Sequence, residues 1–192
     1  ARKEPSAVGY YSSEGCHGEH DDPAEGSFLA ELCEAWEAEA ERVNDHVRLV
    51  RVRFGVVLSP DGGALPKMIM PTRFGVTVSI GKPDHAFSWV ALDDLVNALA
   101  FILEHGDVSG PVNVTAPERT TNEEFYKAVA EHFHTRVSVR VPDAAVRLVM
   151  GEASQVVTSG QCAEPETLLR EGFEFQYPGI STFFNKAFPV KS

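Results

Sequence analysis

The chain has 192 residues, 43% of them hydrophobic, enough for one good core and a small second lobe in an ordinary folded protein. Its formal net charge is −11, and −10 of it lies between positions 14 and 45, where eleven acids face one base, Arg42; such a field repels nucleic acid, and no basic stripe elsewhere compensates. No apolar run approaches the ~20 residues of a membrane-spanning helix, and the opening Ala1-Arg2-Lys3-Glu4-Pro5 lacks the apolar core of a secretory signal. Cys16, Cys33 and Cys162, odd in number and widely spaced, do not make a disulfide framework. A reducing compartment is expected, cytoplasm or mitochondrial matrix, without secretion. The acidic run reads as a solvated helix face, with a docking face for a basic partner as the alternative.

In chain order, Ser6 to Tyr11 reads as the end of a short strand and 12–26 as a polar loop. Ser27 is a credible N-cap for a helix to Val43, with Leu29, Cys33, Trp36, Ala40 and Val43 inside and the glutamates outside. Val47 to Leu58 is the longest β-branched run and predicts one buried central strand, with Arg48, Arg51 and Arg53 reaching the sheet's end or edge. Ser59-Pro60-Asp61-Gly62-Gly63 turns the chain into a short helix over 64–70. A strand over 75–80, a turn at 81–84 and a strand over 86–92 follow. Asp93-Asp94 begins a helix stopped by Gly106; 111–116 is another strand. Thr121 with Glu124 makes a capping box for a helix to Phe133, and 137–141 alternates like a half-buried strand. From Pro142 the pattern changes to small helices over 143–150, 153–159 and 165–171. A strand over 173–177 and a helix over 180–188 end the chain. Helix, buried strand and Gly-rich turn are the grammar of an α/β sheet. The expected division is 1–141, a partial Rossmann-like and substrate-lobe region, and 142–192, a small α/β lobe.

Cys16, His17, Glu19, His20 and Asp21 are ligand types, but their spacing fits no zinc template well, and no metal is expected. His132 and His134, two apart on a helix, point to different sides.

A wider pattern then becomes visible. Ser-Ala-Val-Gly-Tyr-Tyr at 6–11, Phe-Leu-Ala-Glu-Leu-Cys from 28 with Trp36-Glu37, Arg-Phe-Gly-Val-Val-Leu at 53–58, and Gly-Gly-Ala-Leu at 62–65 come first. Phe-Ser-Trp-Val at 87–90 with Leu92-Asp93-Asp94-Leu95, Gly-Pro-Val-Asn-Val-Thr-Ala-Pro at 110–117, Thr-Asn-Glu-Glu-Phe at 121–125 and Glu-Gly-Phe-Glu-Phe-Gln-Tyr-Pro at 171–178 follow in order. Together they resemble the epimerase-like family of atypical extended short-chain dehydrogenase/reductases, including that family's own C-terminal domain.

The resemblance implies the C-terminal half of a Rossmann-like fold, beginning at the fifth strand, and NADP or NAD as cofactor. The glycine-rich turn that seats the pyrophosphate on a helix N-terminus belongs on the first strand, and no G-x-x-G-x-x-G or G-x-G-x-x-G exists in these residues. Extended reductases use a Tyr-x-x-x-Lys pair, in which lysine lowers the tyrosine pKa. Here Leu29 and Cys33 fall at that position, and no lysine lies between Lys3 and Lys67. Ala91 stands where the pattern has His before Asp-Asp, and Asp84 where the family has a basic residue; both make the pocket less like a sugar-nucleotide site.

Candidate site residues follow from the same resemblance. Ser6, Tyr10 and Tyr11 are relic catalytic candidates; Ser6 is within one residue of the family's hydroxyl position, where ungapped counting puts Ala7. Gly55, Val56 and Val57 would approach a nicotinamide through backbone, or are plain core. Met68 and Trp89 floor a substrate cleft, or are core or interface residues. Two readings of function stand. One is a non-catalytic homologue kept as a structural subunit of a larger assembly; the other is part of an NAD(P)-dependent oxidoreductase or epimerase whose cofactor-binding half lies outside this chain. A Rossmann sheet cut in the middle leaves an unpaired strand, so a partner chain or a homodimer is expected to cover it.

Overall fold

The computed structural model describes residues 2–41, 47–142 and 160–189. Alternation in the β-branched run sets its centre. Along β3 (Leu49–Phe54), Val50 and Val52 are fully buried on one face, while Arg51 and Arg53 point to the other. β3 runs parallel between β1 (Arg2–Ala7) and β8 (Gly110–Val114), so the sheet order is β1-β3-β8. The valine face meets α3 (Leu92–Glu104) in a core of Val50, Val52, Val90, Ala98, Ile102, Val112 and Val114, joined by Leu168 and Phe173. The arginine face is covered by α1 (Phe28–Glu41). The mixed α/β architecture expected from the sequence is therefore present.

The predicted single strand over 47–58 is two. Gly55 separates β3 from β4 (Val56–Ser59), which pairs in parallel with β7 (Trp89–Ala91) and in antiparallel with β5 (Gly62–Gly63). The switch is visible in two hydrogen bonds: the Gly55 amide donates to Val114 O, the Val56 amide to Ser88 O. A Cβ on Gly55 would stand 2.5 Å from the Ser88 carbonyl oxygen, so only glycine lets the chain cross to its new neighbour. α2 (Leu65–Ile69) and a 3-10 turn over Met70–Phe74 lead to β6 (Val76–Ile80).

α4 (Asn122–His132) begins on the expected capping box, Thr121 Oγ1 accepting from the Glu124 amide and Glu124 from the Thr121 amide. Its inner face, Phe125, Tyr126 and Val129, joins Leu58, Leu65, Trp89, Ile180, Phe183 and Phe184 in a second core. β9 (Val137–Val141) pairs in parallel with β6, and Val137 to Arg140 are exposed, where half-burial was expected. The helices expected over 143–150 and 153–159 lie outside the described residues.

Beyond them come β10 (Cys162–Ala163), α5 (Glu166–Arg170) and α6 (Ile180–Ala187). The strand expected over 173–177 is absent. Its amides have another acceptor: Gln176 N donates to Asp94 Oδ1 at 2.8 Å and Tyr177 N to Asp94 Oδ2 at 2.9 Å, at the start of α3. Burial raises the Asp94 pKa, and these two amides pull it back. The polar loop over 12–26 holds a strand that the sequence hid, β2 (Cys16–His17), which pairs with β10 and places Cys16 opposite Cys162. The two are joined by a disulfide, while Cys33 is free and buried, so the cysteines no longer argue for the expected reducing compartment. An odd count excluded only a framework that uses every cysteine. Among the described residues no helix is long and apolar enough to cross a membrane.

Candidate functional site

The parallel strands β1, β3 and β8 end together, at the edge where open α/β sheets place their ligands. Register aligns Ser6, Arg53 and Asn113 across that end on the arginine face. All three are buried, and the sequence reading included only Ser6. Instead of reaching the sheet's edge, Arg53 lies inside: Nε and Nη2 each donate to a Glu37 carboxylate oxygen at 2.7 Å. Its Nη1 donates to Tyr11 Oη at 2.9 Å and Glu19 O at 3.2 Å, and its guanidinium stacks 3.4 Å from the Tyr10 ring centroid. Burial works against this charge, but the Glu37 carboxylate and the Tyr11 hydroxyl hold the Arg53 pKa above its usual value.

Glu37 is buried because α1 turns a different face inward from the one expected: Ala30, Cys33, Glu37 and Ala40 are inside and Trp36 is 53% exposed. Residues 33, 37 and 40 keep helical spacing, so a glutamate at 37 facing an arginine two places past Arg51 was the available signal.

Tyr11 is fully buried; its hydroxyl donates to Asn113 Oδ1 at 2.9 Å while accepting from Arg53, and its ring stacks on His17 at 5.3 Å. Burial raises the phenol pKa despite Arg53. A tyrosine that must exchange a proton at neutral pH needs the opposite direction. Ser6 Oγ is buried without a hydrogen-bond partner. Glu19, missed by the sequence reading, is a buried carboxylate whose Oε1 accepts from the amides of Asn113 (3.2 Å) and Thr167 (3.0 Å). Asn113 Nδ2 donates to Glu164 O at 3.0 Å. Loop 12–26 and the segment from Cys162 to Thr167 are thus clamped onto the ends of β3 and β8 by a carboxylate, an amide and a disulfide. Of the loop's metal-ligand types, Cys16 is oxidised, Glu19 serves amides, and His17 pairs with Asp21 at 3.3 Å. Among the described residues no cluster of His, Cys, Asp and Glu could hold a metal ion.

The other candidates lie elsewhere. Gly55 and Val56 use their amides between strands, and Val57 packs beside the valine core. Trp89 is 1% exposed, donates from Nε1 to Thr120 Oγ1 at 3.2 Å and borders a crevice of only about 10 Å³; Met68 packs on the same core. The larger cavity, about 270 Å³, lies between the β6/β9 pair and α4, lined by Thr77, Ser79, Asn122, Tyr126, Lys127 and Arg140. None of the sequence candidates reaches it.

Residues 141–186 match the family model described as a domain of unknown function, DUF1731. The chain is 38% identical over 178 residues to epimerase family protein Mb2239 of Mycobacterium bovis, covering 91% of this chain and 59% of that protein. It is 36% identical over 173 residues to the Arabidopsis thaliana epimerase family protein SDR39U1 homolog, chloroplastic, covering 90% of this chain and 50% of that one. It therefore spans between half and two thirds of the curated relatives it matches. Among solved structures, human epimerase family protein SDR39U1 (isoform 2) with NADPH superposes with a TM-score of 0.91 at 30% identity, over 98% of this chain and 65% of that chain. Thermus thermophilus UDP-glucose 4-epimerase with NAD gives a TM-score of 0.72 at 17% identity, over 98% of this chain and 64% of that chain, a likeness of fold alone.

Proposed function

From the epimerase-like short-chain dehydrogenase/reductase family that relatives and solved structures support for this chain, we propose that it forms the C-terminal, substrate-side part of an NAD(P)-dependent oxidoreductase or epimerase. The observation that carries the reading is the TM-score of 0.91 against a relative whose structure holds NADPH. The dinucleotide fingerprint is not among these residues, so the cofactor's pyrophosphate would be seated by a glycine-rich turn outside them. This chain's contribution is the sheet end bearing Ser6, Arg53 and Asn113, braced by Glu37, with the C-terminal segment clamped over it.

The test is titration of NADPH into the native particle that carries the chain, followed by fluorescence. Saturable binding is expected there, and none by the isolated 192 residues. A native particle that binds no NADPH overturns the proposal.

A second reading is a non-catalytic structural subunit. It is favoured by the Tyr11 hydroxyl, which is locked between Arg53 and Asn113 with a raised pKa, and by Leu29 and Cys33 at the position of the tyrosine–lysine pair. In either reading the outer edge of β1, whose one described neighbour is β3, calls for cover, by further residues of the same protein, a companion chain or a second copy. Native mass spectrometry with sequencing of the particle separates the two: a glycine-rich first strand within it, in the same chain or in a companion, supports the enzyme, and a large assembly without one the scaffold.

A further inference from the structure

The small parallel pair β6/β9 turns its polar face to α4. Alternation puts Thr77, Ser79, Ser138 and Arg140 on the helix side and Val76, Val78, Val137 and Val139 on the other, where Val137 is 51% exposed and Val139 47%. A strand pair packed on a helix ordinarily buries its apolar face. Here the polar face is inside, and it leaves the cavity of about 270 Å³ open. Register sets Thr77 beside Ser138 and Ser79 beside Arg140. Thr77 is buried and bonded to Thr135, Oγ1 to Oγ1 at 2.7 Å, whereas the side chains of Ser79, Ser138 and Arg140 have no partner among the described residues.

Lys127 lines the cavity from α4, and its ion pair with Glu131, at 4.0 Å between exposed side chains, is a loose one. Charge points the same way. Residues 72–83 and 134–142 hold Arg73, Lys82, Arg136 and Arg140 and no acid, in a chain of net charge −11. Glu123 is the one acid in the lining, against Lys127 and Arg140. The amides of Asn122, Glu123 and Glu124 are already taken by His85 O, Pro83 O and Thr121 Oγ1, so side chains must hold whatever enters. No lining residue comes from β1, β3, β8 or α1: the cavity is separate from the sheet end of Ser6, Arg53 and Asn113, and its walls lie within residues 77–140.

We propose that this cavity binds a small phosphate-bearing anion, with Arg140 and Lys127 on the phosphate oxygens and the Ser79 and Ser138 hydroxyls donating beside them. Four donor groups on three walls suit a phosphate, whose terminal oxygens accept from several directions; a carboxylate would be satisfied by the arginine fork alone. The cavity falls just below the ~300–1,000 Å³ of drug-sized pockets, so its ligand is inorganic phosphate or a small phosphate ester and not a dinucleotide.

The test is calorimetric titration of the full-length protein with inorganic phosphate, glycerol 3-phosphate and acetate, in excess NADPH so that any dinucleotide phosphate subsite is filled. Saturable binding of a phosphate compound is expected, about tenfold or more tighter than acetate. Lys127→Gln with Arg140→Gln should weaken it about tenfold or more and Ser79→Ala with Ser138→Ala several-fold, while Lys67→Gln with Lys186→Gln, the same loss of charge outside the cavity, leaves it unchanged. Tighter binding of glycerol 3-phosphate than of phosphate assigns the site to an ester, and equal or weaker binding to phosphate itself; both support the proposal. Location is read separately. Ser138 is exposed, so Ser138→Cys offers a thiol to uncharged iodoacetamide, followed by mass spectrometry of the peptide containing position 138, and the bound phosphate compound should slow that alkylation. No saturable binding of either phosphate compound, acetate bound as tightly, equal loss from the Lys67/Lys186 variant, or alkylation indifferent to the ligand would each overturn the proposal. Circular dichroism confirms that each variant is folded.

Discussion

Arg53 on β3 and Glu37 on α1 form a two-pronged ion pair, both bonds at 2.7 Å and both side chains at least nine-tenths buried. It joins the helix to the sheet at the one face where valines do not, and Arg53 then carries Tyr10, Tyr11 and the Glu19 carbonyl with it. The Tyr10, Tyr11 and Glu19 contacts of Arg53 depend on that charge being matched.

Removing one partner leaves the other buried and uncompensated. Glu37→Leu or Arg53→Met alone should therefore cost about 3–5 kcal/mol, whereas the double variant, which removes both charges, should recover part of that loss. Urea unfolding of the four proteins measures it; strict additivity would mean that the two side chains do not depend on each other.

Gly55→Ala should be among the most damaging single substitutions in the chain. Its new methyl would meet the Ser88 carbonyl oxygen at 2.5 Å, and that oxygen belongs to backbone held in place by the Val56 amide. A loss of about 3 kcal/mol or more is expected. Gly106→Ala, where nothing lies within 4 Å, should be near neutral. If thermal melts place the two variants together, the strand crossing does not require glycine.

How much of this was readable in advance depends on what each signal measures. Local signals survived: the Thr121–Glu124 capping box and the α1, α3 and α4 helices are where sequence puts them, and the β-branched run is extended though divided at Gly55, because caps and periodicity act within a few residues. Long-range pairings were hidden. The Asp94 carboxylate captures amides 82 and 83 positions away, so Phe173 to Tyr177 alternates like a strand yet has no ladder to join. β2 is two residues long and exists through β10, 146 positions on. At the site, family likeness pointed to Ser6 and Tyr11, but Arg53, Glu37, Glu19 and Asn113 required knowing which faces meet. A charged residue in a strand or on a helix face reads as solvent-exposed until its partner is found.

The disulfide between Cys16 and Cys162 closes a long loop, and reduction should lower stability by about 2–5 kcal/mol, because the unfolded chain regains the freedom that the link removes. The noncovalent clamps through Glu19 and Asn113 hold the same two segments, so the reduced protein should remain folded with a lower Tm. Calorimetry with and without a dithiol, beside Cys16→Ser with Cys162→Ser, checks it: the variant should match the reduced protein and be indifferent to the dithiol. A reduced protein with an unchanged Tm would show that the clamps suffice alone.

Tyr11 gives stability an alkaline limit. Its folded-state pKa is raised, chiefly by burial, so the unfolded chain loses this proton first, near pH ~10, while the folded chain keeps it. Between those two values the folded state binds more protons, and stability falls as pH rises. The loss is absent below pH ~10 and complete once the folded phenol ionises. Tyr11→Phe forfeits the bonds to Arg53 and Asn113 and should be about 1–3 kcal/mol less stable at pH 7. It has no phenol to titrate, however, so its disadvantage should shrink above pH ~10. Tyr126 and Tyr177, also raised, contribute equally to both proteins and cancel in the comparison. Denaturant midpoints for the two proteins from pH 7 to 11 should converge; curves that stay parallel throughout would mean that the Tyr11 phenol titrates alike in the folded and unfolded chains, and that its buried network carries no linkage to pH.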